Sequence, residues 1–149
     1  MKIIFLFLTI GLIFSCRKDA PAPKKDYSTD IVGDYTGIRT KYYTEIDFHT
    51  FDFSTTVQYD ADSALYMTGW STFVEKLYFT LDEDKITVPN QNFHGEGYSG
   101  GGALIFKFDH DVTGEGLYYT DTEKIYLDLV FVSNLESGSI TKGQISIQK

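Results

Sequence analysis

Cysteine is nearly absent from this chain: Cys16 is the only one, which excludes a disulfide within one chain and any structural metal site built on cysteines. Proline is scarce, three residues in all, and two of them, Pro21 and Pro23, fall in one short stretch. Basic residues are few. From Asp30 to Lys149 there are eight against nineteen acidic ones, a net of −11, so nucleic acid and anionic membrane surfaces are expected to be repelled. No segment carries a helical apolar repeat with caps. No Gly-Lys-Ser/Thr follows any of the glycines, which excludes a phosphate loop. No Gly-x-Ser-x-Gly elbow supports nucleophilic catalysis, and no His-x-x-x-His spacing supports zinc; the expectation is therefore no cofactor and no enzyme.

Long apolar runs are also missing, except at the start. Lys2 gives a positive head, Ile3 to Phe14 an apolar body interrupted only by Thr9 and Gly11, and Ser15-Cys16 a small-residue end. This is a secretory signal pattern, too short for a comfortable membrane span of about 20 residues. Leu12-Ile13-Phe14-Ser15-Cys16 resembles the lipobox of bacterial lipoproteins. The resemblance implies residues 1–15 as signal peptide and Cys16 as a lipidated residue that anchors the chain in a membrane, since two or three acyl chains hold lastingly where one does not. An ordinary signal peptide or N-terminal membrane helix is the competing reading. Arg17 following the cysteine implies, by the same resemblance, the outer membrane of a Gram-negative envelope, on its periplasmic or its outer face. Residues 16–29, rich in Pro and Lys, read as an extended tether.

From Ile31 onward apolar residues recur with period two, the signature of strands with one wet face. Phe51 to Tyr59 alternates; Leu77, Phe79 and Leu81 lead through a polar turn at Asp82 to Lys85 into Ile86 and Val88, a hairpin. Leu104, Phe106 and Phe108 mark another strand, then Ile125 to Val132, then Gly143 to Gln148. Asp60 to Trp70 fits either a strand or a short helical turn. The high Tyr and Phe content suits sheet. Residues 30–149 are thus predicted as one all-β domain, an antiparallel meander of about eight to ten strands closing into a barrel, with a β-sandwich as the alternative. Gly33-Asp34-Tyr35-Thr36-Gly37 resembles the Gly-x-Trp opening of lipocalins and other calycins, with Tyr35 in the aromatic place. That resemblance implies a calycin-like barrel.

The candidate chemistry is carried by carboxylates, histidines and rings. Gly95-Glu96-Gly97 and Gly114-Glu115-Gly116 offer two carboxylates that would suit acid–base hydrolysis if they met; otherwise they are turns or strand bends with Glu in water. His94 with Glu96, and Asp109-His110-Asp111, would form a metal site only if adjacent strands joined them. Asp60-Ala61-Asp62-Ser63 and Asp82-Glu83-Asp84 lack the glycine and glutamate of a calcium loop and read as solvated turns. Tyr66, Trp70, Tyr98 and Tyr118 are the expected ligand-binding rings, able to stack on a glycan or cradle an apolar ligand, or else to pair across strands. The function expected is a non-enzymatic, membrane-anchored binding module for an apolar or glycan ligand or an envelope protein. A purely structural or partner-docking lipoprotein and a small carboxylate hydrolase are the alternatives.

Overall fold

The computed structural model describes residues 26–42, 47–60, 64–69, 76–98, 102, 104–136 and 138–149. Eight strands follow one another: β1 (Gly33–Tyr42), β2 (Phe48–Tyr59), β3 (Leu65–Thr68), β4 (Leu77–Asp82), β5 (Lys85–Tyr98), β6 (Leu104–Tyr119), β7 (Lys124–Ser133) and β8 (Ile140–Gln148). Each pairs antiparallel with its sequence neighbours, and β1 pairs with β8, so the meander closes into a barrel and not a sandwich. This architecture is compatible with a calycin-like barrel. Closure leaves β1 and β8 no free edge along Thr36 to Tyr42, which removes the usual template for strand-on-strand aggregation there.

Alternation sets which residues face the lumen. Val57, Leu65, Met67, Leu77, Ile86, Ile125, Leu127, Ile145 and Ile147 are 0–5 % exposed and form the core. Their strand neighbours face outward. The turn Asp82 to Lys85 is the expected tight hairpin, with Glu83 at φ 58°.

Both Gly-Glu-Gly triplets lie inside strands, so of the two readings, turns or strand bends, the turns are excluded. Gly114 and Gly116 point inward and Glu115 outward. Neither glycine has a positive φ; each is required for space. A Cβ on Gly116 would stand 2.0 Å from the Tyr126 carbonyl oxygen, and one on Gly114 2.5 Å from that of Asp128. Gly37 repeats the device on β1, 2.2 Å from the Ser146 oxygen. Each glycine sits opposite a large aliphatic residue, Leu127, Leu129 or Ile147. Small facing large lets neighbouring strands approach and coil tightly around a narrow interior.

The floor of the barrel is closed by the chain preceding β1. Tyr27, expected to belong to the tether, packs on the core, with its ring edge-on to Tyr118 at 6.5 Å. Ile31 is fully buried, the Tyr35 hydroxyl donates to its carbonyl at 2.6 Å, and the Tyr118 hydroxyl donates to the Asp30 carbonyl at 3.0 Å. Lys149 completes the closure by donating to the Asp30 carbonyl and pairing with Glu123 at 3.3 Å.

Candidate functional site

Among the described residues, unequal strand lengths leave the end opposite that floor less closed by strand pairing. β3 and β4 have 4 and 6 residues, β5 and β6 have 14 and 16. β2 pairs with β3 only from Thr56 to Tyr59, and β4 pairs with β5 only from Thr80 to Asp82. Above those levels β1–β2 and β5–β6 continue as ribbons joined through β7 and β8.

Where β5 leaves β4, the register slips between Val88 and Gln91, across Pro89, which has no N–H to lose. Gln91 repairs the gap with its side chain. Its Nε2 donates to the Tyr78 carbonyl at 2.7 Å and its Oε1 accepts from the Tyr78 N–H at 2.8 Å. The amide thus imitates a strand backbone and fixes the wall at the height where the lumen begins to open.

Burial of the inward residues changes at that height. Phe53, Phe93 and Phe131 are only partly buried where they rest on the core. Phe51, opposite inward-facing Arg39, is 42 % exposed. Among the described residues, inward rings reach solvent at this end of the barrel. Glycines make room for rings here as well: a Cβ on Gly95 would meet the Phe108 ring at 2.5 Å, and one on Gly143 the Phe131 ring at 2.9 Å.

Basic groups share this upper lumen. Arg39 lies between Phe51 on β2 and core residue Ile145 on β8, with its guanidinium 5.4 Å from the Phe51 ring centre. Lys41 follows on the same face, between His49 and Gly143. His49 is edge-on to Phe51 at 6.3 Å. His110 enters from β6, opposite Phe93 and Ser133. Solvent reaches Lys41, yet desolvation by the wall and then the Arg39 charge hold its ammonium below the usual lysine pKa. Desolvation first, and Lys41 second, likewise lower the His110 imidazole, against a weaker pull upward from Asp109 and Glu136. Arg39, Lys41 and His110 therefore act in one field.

The residues singled out in the sequence are dispersed. Tyr118 is at the floor, 2 % exposed, facing inward. Tyr66 lies between core residues Leu65 and Met67 and so faces the opposite way, beside Tyr78 at 5.6 Å and under the Lys76 ammonium at 4.3 Å. These two tyrosines do not share a site. Trp70 lies outside the described residues, and Tyr98 is described only as the last residue of β5, opposite Leu104. Glu96 is outward and paired with Lys107 at 2.7 Å. Glu115 is eight positions further along β6, about 26 Å at about 3.3 Å per residue, so the two carboxylates cannot serve one hydrolytic centre.

His94 does lie opposite Asp109, but His110 points to the other face. Asp109 Oδ1 accepts from Asn134 Nδ2 at 2.9 Å and Asn92 Nδ2 at 2.8 Å, and these bonds, Asn134 foremost, hold its carboxyl below the usual range. It ties β5, β6 and the β7–β8 connection together. Among the described residues no three His, Cys, Asp or Glu side chains group to hold a metal ion. Asp60 Oδ1 accepts from the Ala64 N–H at 3.1 Å, and residues 61–63 lie outside the described residues. Compared with models of known protein families, with curated proteins and with solved structures, the chain finds no match.

The phenylalanines and cations of the upper lumen escaped sequence reading. Their signal was present as phase: Arg39 and Lys41 continue the inward series Tyr35, Gly37 of β1.

Proposed function

We propose that this protein is an outer-membrane lipoprotein, anchored by lipid on Cys16, that acts as a non-enzymatic binding module and takes its ligand into the open upper half of the barrel. One observation supports this above the rest: Phe51 points into the lumen and remains 42 % exposed. Leaving such a ring wet forgoes apolar burial worth about 25 cal/mol per Å², and a ligand with an apolar face recovers it. The lipobox-like Leu12 to Cys16 and the Pro/Lys-rich stretch behind it supply the anchor and the spacer.

A second reading rests on the rim of the same end. Phe48 (53 %), Leu135 (53 %) and Ile140 (65 %) are exposed apolar residues beside the opening, a surface suited to an envelope protein.

Native mass spectrometry of the full chain, purified from the membranes of its own host, tests the proposal. The expected spectrum shows a diacylglyceryl mass on Cys16 and a retained small molecule, and Phe51→Ala loses that molecule. An unmodified thiol at Cys16 would overturn the anchor. A chain that arrives bare, and on which neither apolar nor glycan probes bind in a Phe51-dependent way, would overturn the module.

A further inference from the structure

We infer that the outer face of β1, β8 and β7 binds a neutral oligosaccharide, held by Tyr42, Gln144, Tyr126 and Asp128. The site lies outside the lumen and is independent of what the lumen holds.

Charge is distributed unevenly over the outside of the barrel. The chain is acidic, with 21 Asp and Glu against 13 Lys and Arg, and the outward positions of β6 carry Asp109, Asp111 and Glu115. From Thr36 to Tyr42 on β1 and from Ile140 to Gln148 on β8, the outward positions hold Thr, Ser, Gln, Ile and Tyr, with Lys142 as the single charged side chain. Such a face carries hydroxyls and amides that both donate and accept, as sugar hydroxyls do. A ligand bearing carboxylates, sulfates or phosphates would meet the field of the whole acidic chain, so the matching glycan is a neutral one.

Across the middle of this face three strands contribute to one ladder. The Tyr42 hydroxyl on β1 donates to Gln144 Oε1 on β8 at 2.7 Å. Gln144 Nε2 donates to the Tyr126 hydroxyl on β7 at 2.7 Å and to Asp128 Oδ1 at 2.9 Å, and the Tyr126 hydroxyl donates to the same Oδ1 at 3.1 Å. Each side chain is thereby held in one orientation before a ligand arrives, which cuts the ordering cost of binding. Asp128 is exposed and uses only Oδ1 in the ladder, so Oδ2 remains to accept from sugar hydroxyls. The Tyr42 ring is braced by Phe48 at 5.7 Å between centroids, and Ile38 on the same face is 43 % exposed; together they offer an apolar surface to the C–H face of a sugar. From β1 to β7 the ladder crosses two strand spacings, about 10 Å, the scale of a short oligosaccharide. A protein partner suits this face less well, because the centre of a stable protein interface is apolar and desolvated, and this centre is a polar ladder.

Equilibrium dialysis of tritiated hexasaccharides against the full chain tests the site. Cellohexaose, maltohexaose and hexa-N-acetylchitohexaose are the neutral probes, and hexagalacturonate is the anionic one. The expected result is saturable binding of at least one neutral probe and none of the anion. Gln144→Ala and Tyr126→Ala each weaken that binding about 10-fold, the scale of one or two lost hydrogen bonds. Tyr126→Phe, which keeps the ring, weakens it less, and the isosteric Asp128→Asn weakens it with little change in the urea midpoint, which separates a lost site from a lost fold. Binding of no neutral probe, or binding indifferent to Gln144, Tyr126 and Asp128, would overturn the site. Binding that falls in Phe51→Ala and ignores Gln144 and Tyr126 would place the sugar in the lumen, overturning the outer site while leaving the lumen reading intact. Equal binding of hexagalacturonate would overturn the neutral ligand, and a copurifying protein that Tyr126→Ala releases would make this face a protein interface instead.

Discussion

Replacing Gly116 with alanine isolates the device that draws the barrel wall together. The added methyl would stand 2.0 Å from the Tyr126 carbonyl oxygen, 2.6 Å from Leu127 Cδ2 and 3.0 Å from Leu127 Cα. Two of these three obstacles are backbone, so rotamer changes cannot relieve them, and β6 and β7 must separate by more than 1 Å to restore ordinary contact (about 3.5 Å between heavy atoms). Overpacking of this kind costs about 1–3 kcal/mol, and with backbone in the way the upper end applies. Alanine returns about 0.4–1 kcal/mol by narrowing the unfolded ensemble, since no positive φ opposes it. The balance is a loss of about 2 kcal/mol, which for a domain near 120 residues lowers Tm by about 8 °C.

Thermal and urea unfolding of the full chain measure this loss. Gly95→Ala is the internal comparison. Its methyl meets only the Phe108 ring, at 2.5 Å, and a ring at the open end can swing away, so a loss below about 1 kcal/mol is expected. Combining Gly116→Ala with Leu127→Ala gives no rescue, because the Tyr126 carbonyl stays in place. An unchanged midpoint for Gly116→Ala, or recovery in that double variant, would refute the account of the glycines.

Further outcomes follow from single contacts. Gln91→Leu removes both bonds to Tyr78, with an expected cost of about 1–2 kcal/mol and faster hydrogen exchange at the Tyr78 amide than global unfolding accounts for; unaltered exchange would show that the glutamine does not hold the wall. Tyr35→Phe leaves the buried Ile31 carbonyl without its 2.6 Å bond and should cost about 1–3 kcal/mol in urea unfolding. His110 should protonate, by NMR of its Cε1–H, below the ordinary histidine value of about 6.5, and Lys41→Gln should move its midpoint upward. Because the folded pKa is the lower one, the unfolded chain takes the proton first, so His110 lowers stability as the pH falls from the unfolded toward the folded value. A midpoint that ignores Lys41 would separate the two groups.

Much of the barrel is written in side-chain alternation. Phe51 to Tyr59, the hairpin around Asp82 to Lys85, and Ile125 to Val132 are legible because branched and aromatic residues mark one face at every second position. β6 was legible only as far as Phe108, although it runs to Tyr119. Its later inward series is Val112, Gly114, Gly116, Tyr118: the alternation continues, but half its members have no side chain to report it. Arg39 and Lys41 were hidden differently. A charge in a strand reads as the wet face, and Gly37 interrupts the phase that Tyr35 begins; the register with Ile145 and Gly143 on β8, more than a hundred residues away, bears that phase out. The tyrosines drew attention by number, yet Tyr118 serves the floor and Tyr66 the outer wall.

The two halves of the barrel answer opposite demands. Close approach at Gly37, Gly114 and Gly116 lies along β1, β6, β7 and β8, where it narrows the lumen around Ile125, Leu127, Ile145 and Ile147 until aliphatic side chains fill it. That half is filled by core side chains. Short β3 and β4 keep the wall from closing in the same way higher up, and it is there that rings are wet and the inward charges are positive. The tightly closed half and the wider half therefore draw on different residues of the same strands. Within β1, Gly37 sets how tightly the wall closes and Arg39, two positions on, faces the opening. Gly37→Ala should then lower the unfolding midpoint while sparing ligand retention in native mass spectrometry, and Phe51→Ala should do the reverse. If both measurements moved together in both variants, floor and mouth would be one cooperative unit, and the separation argued from strand length would be wrong.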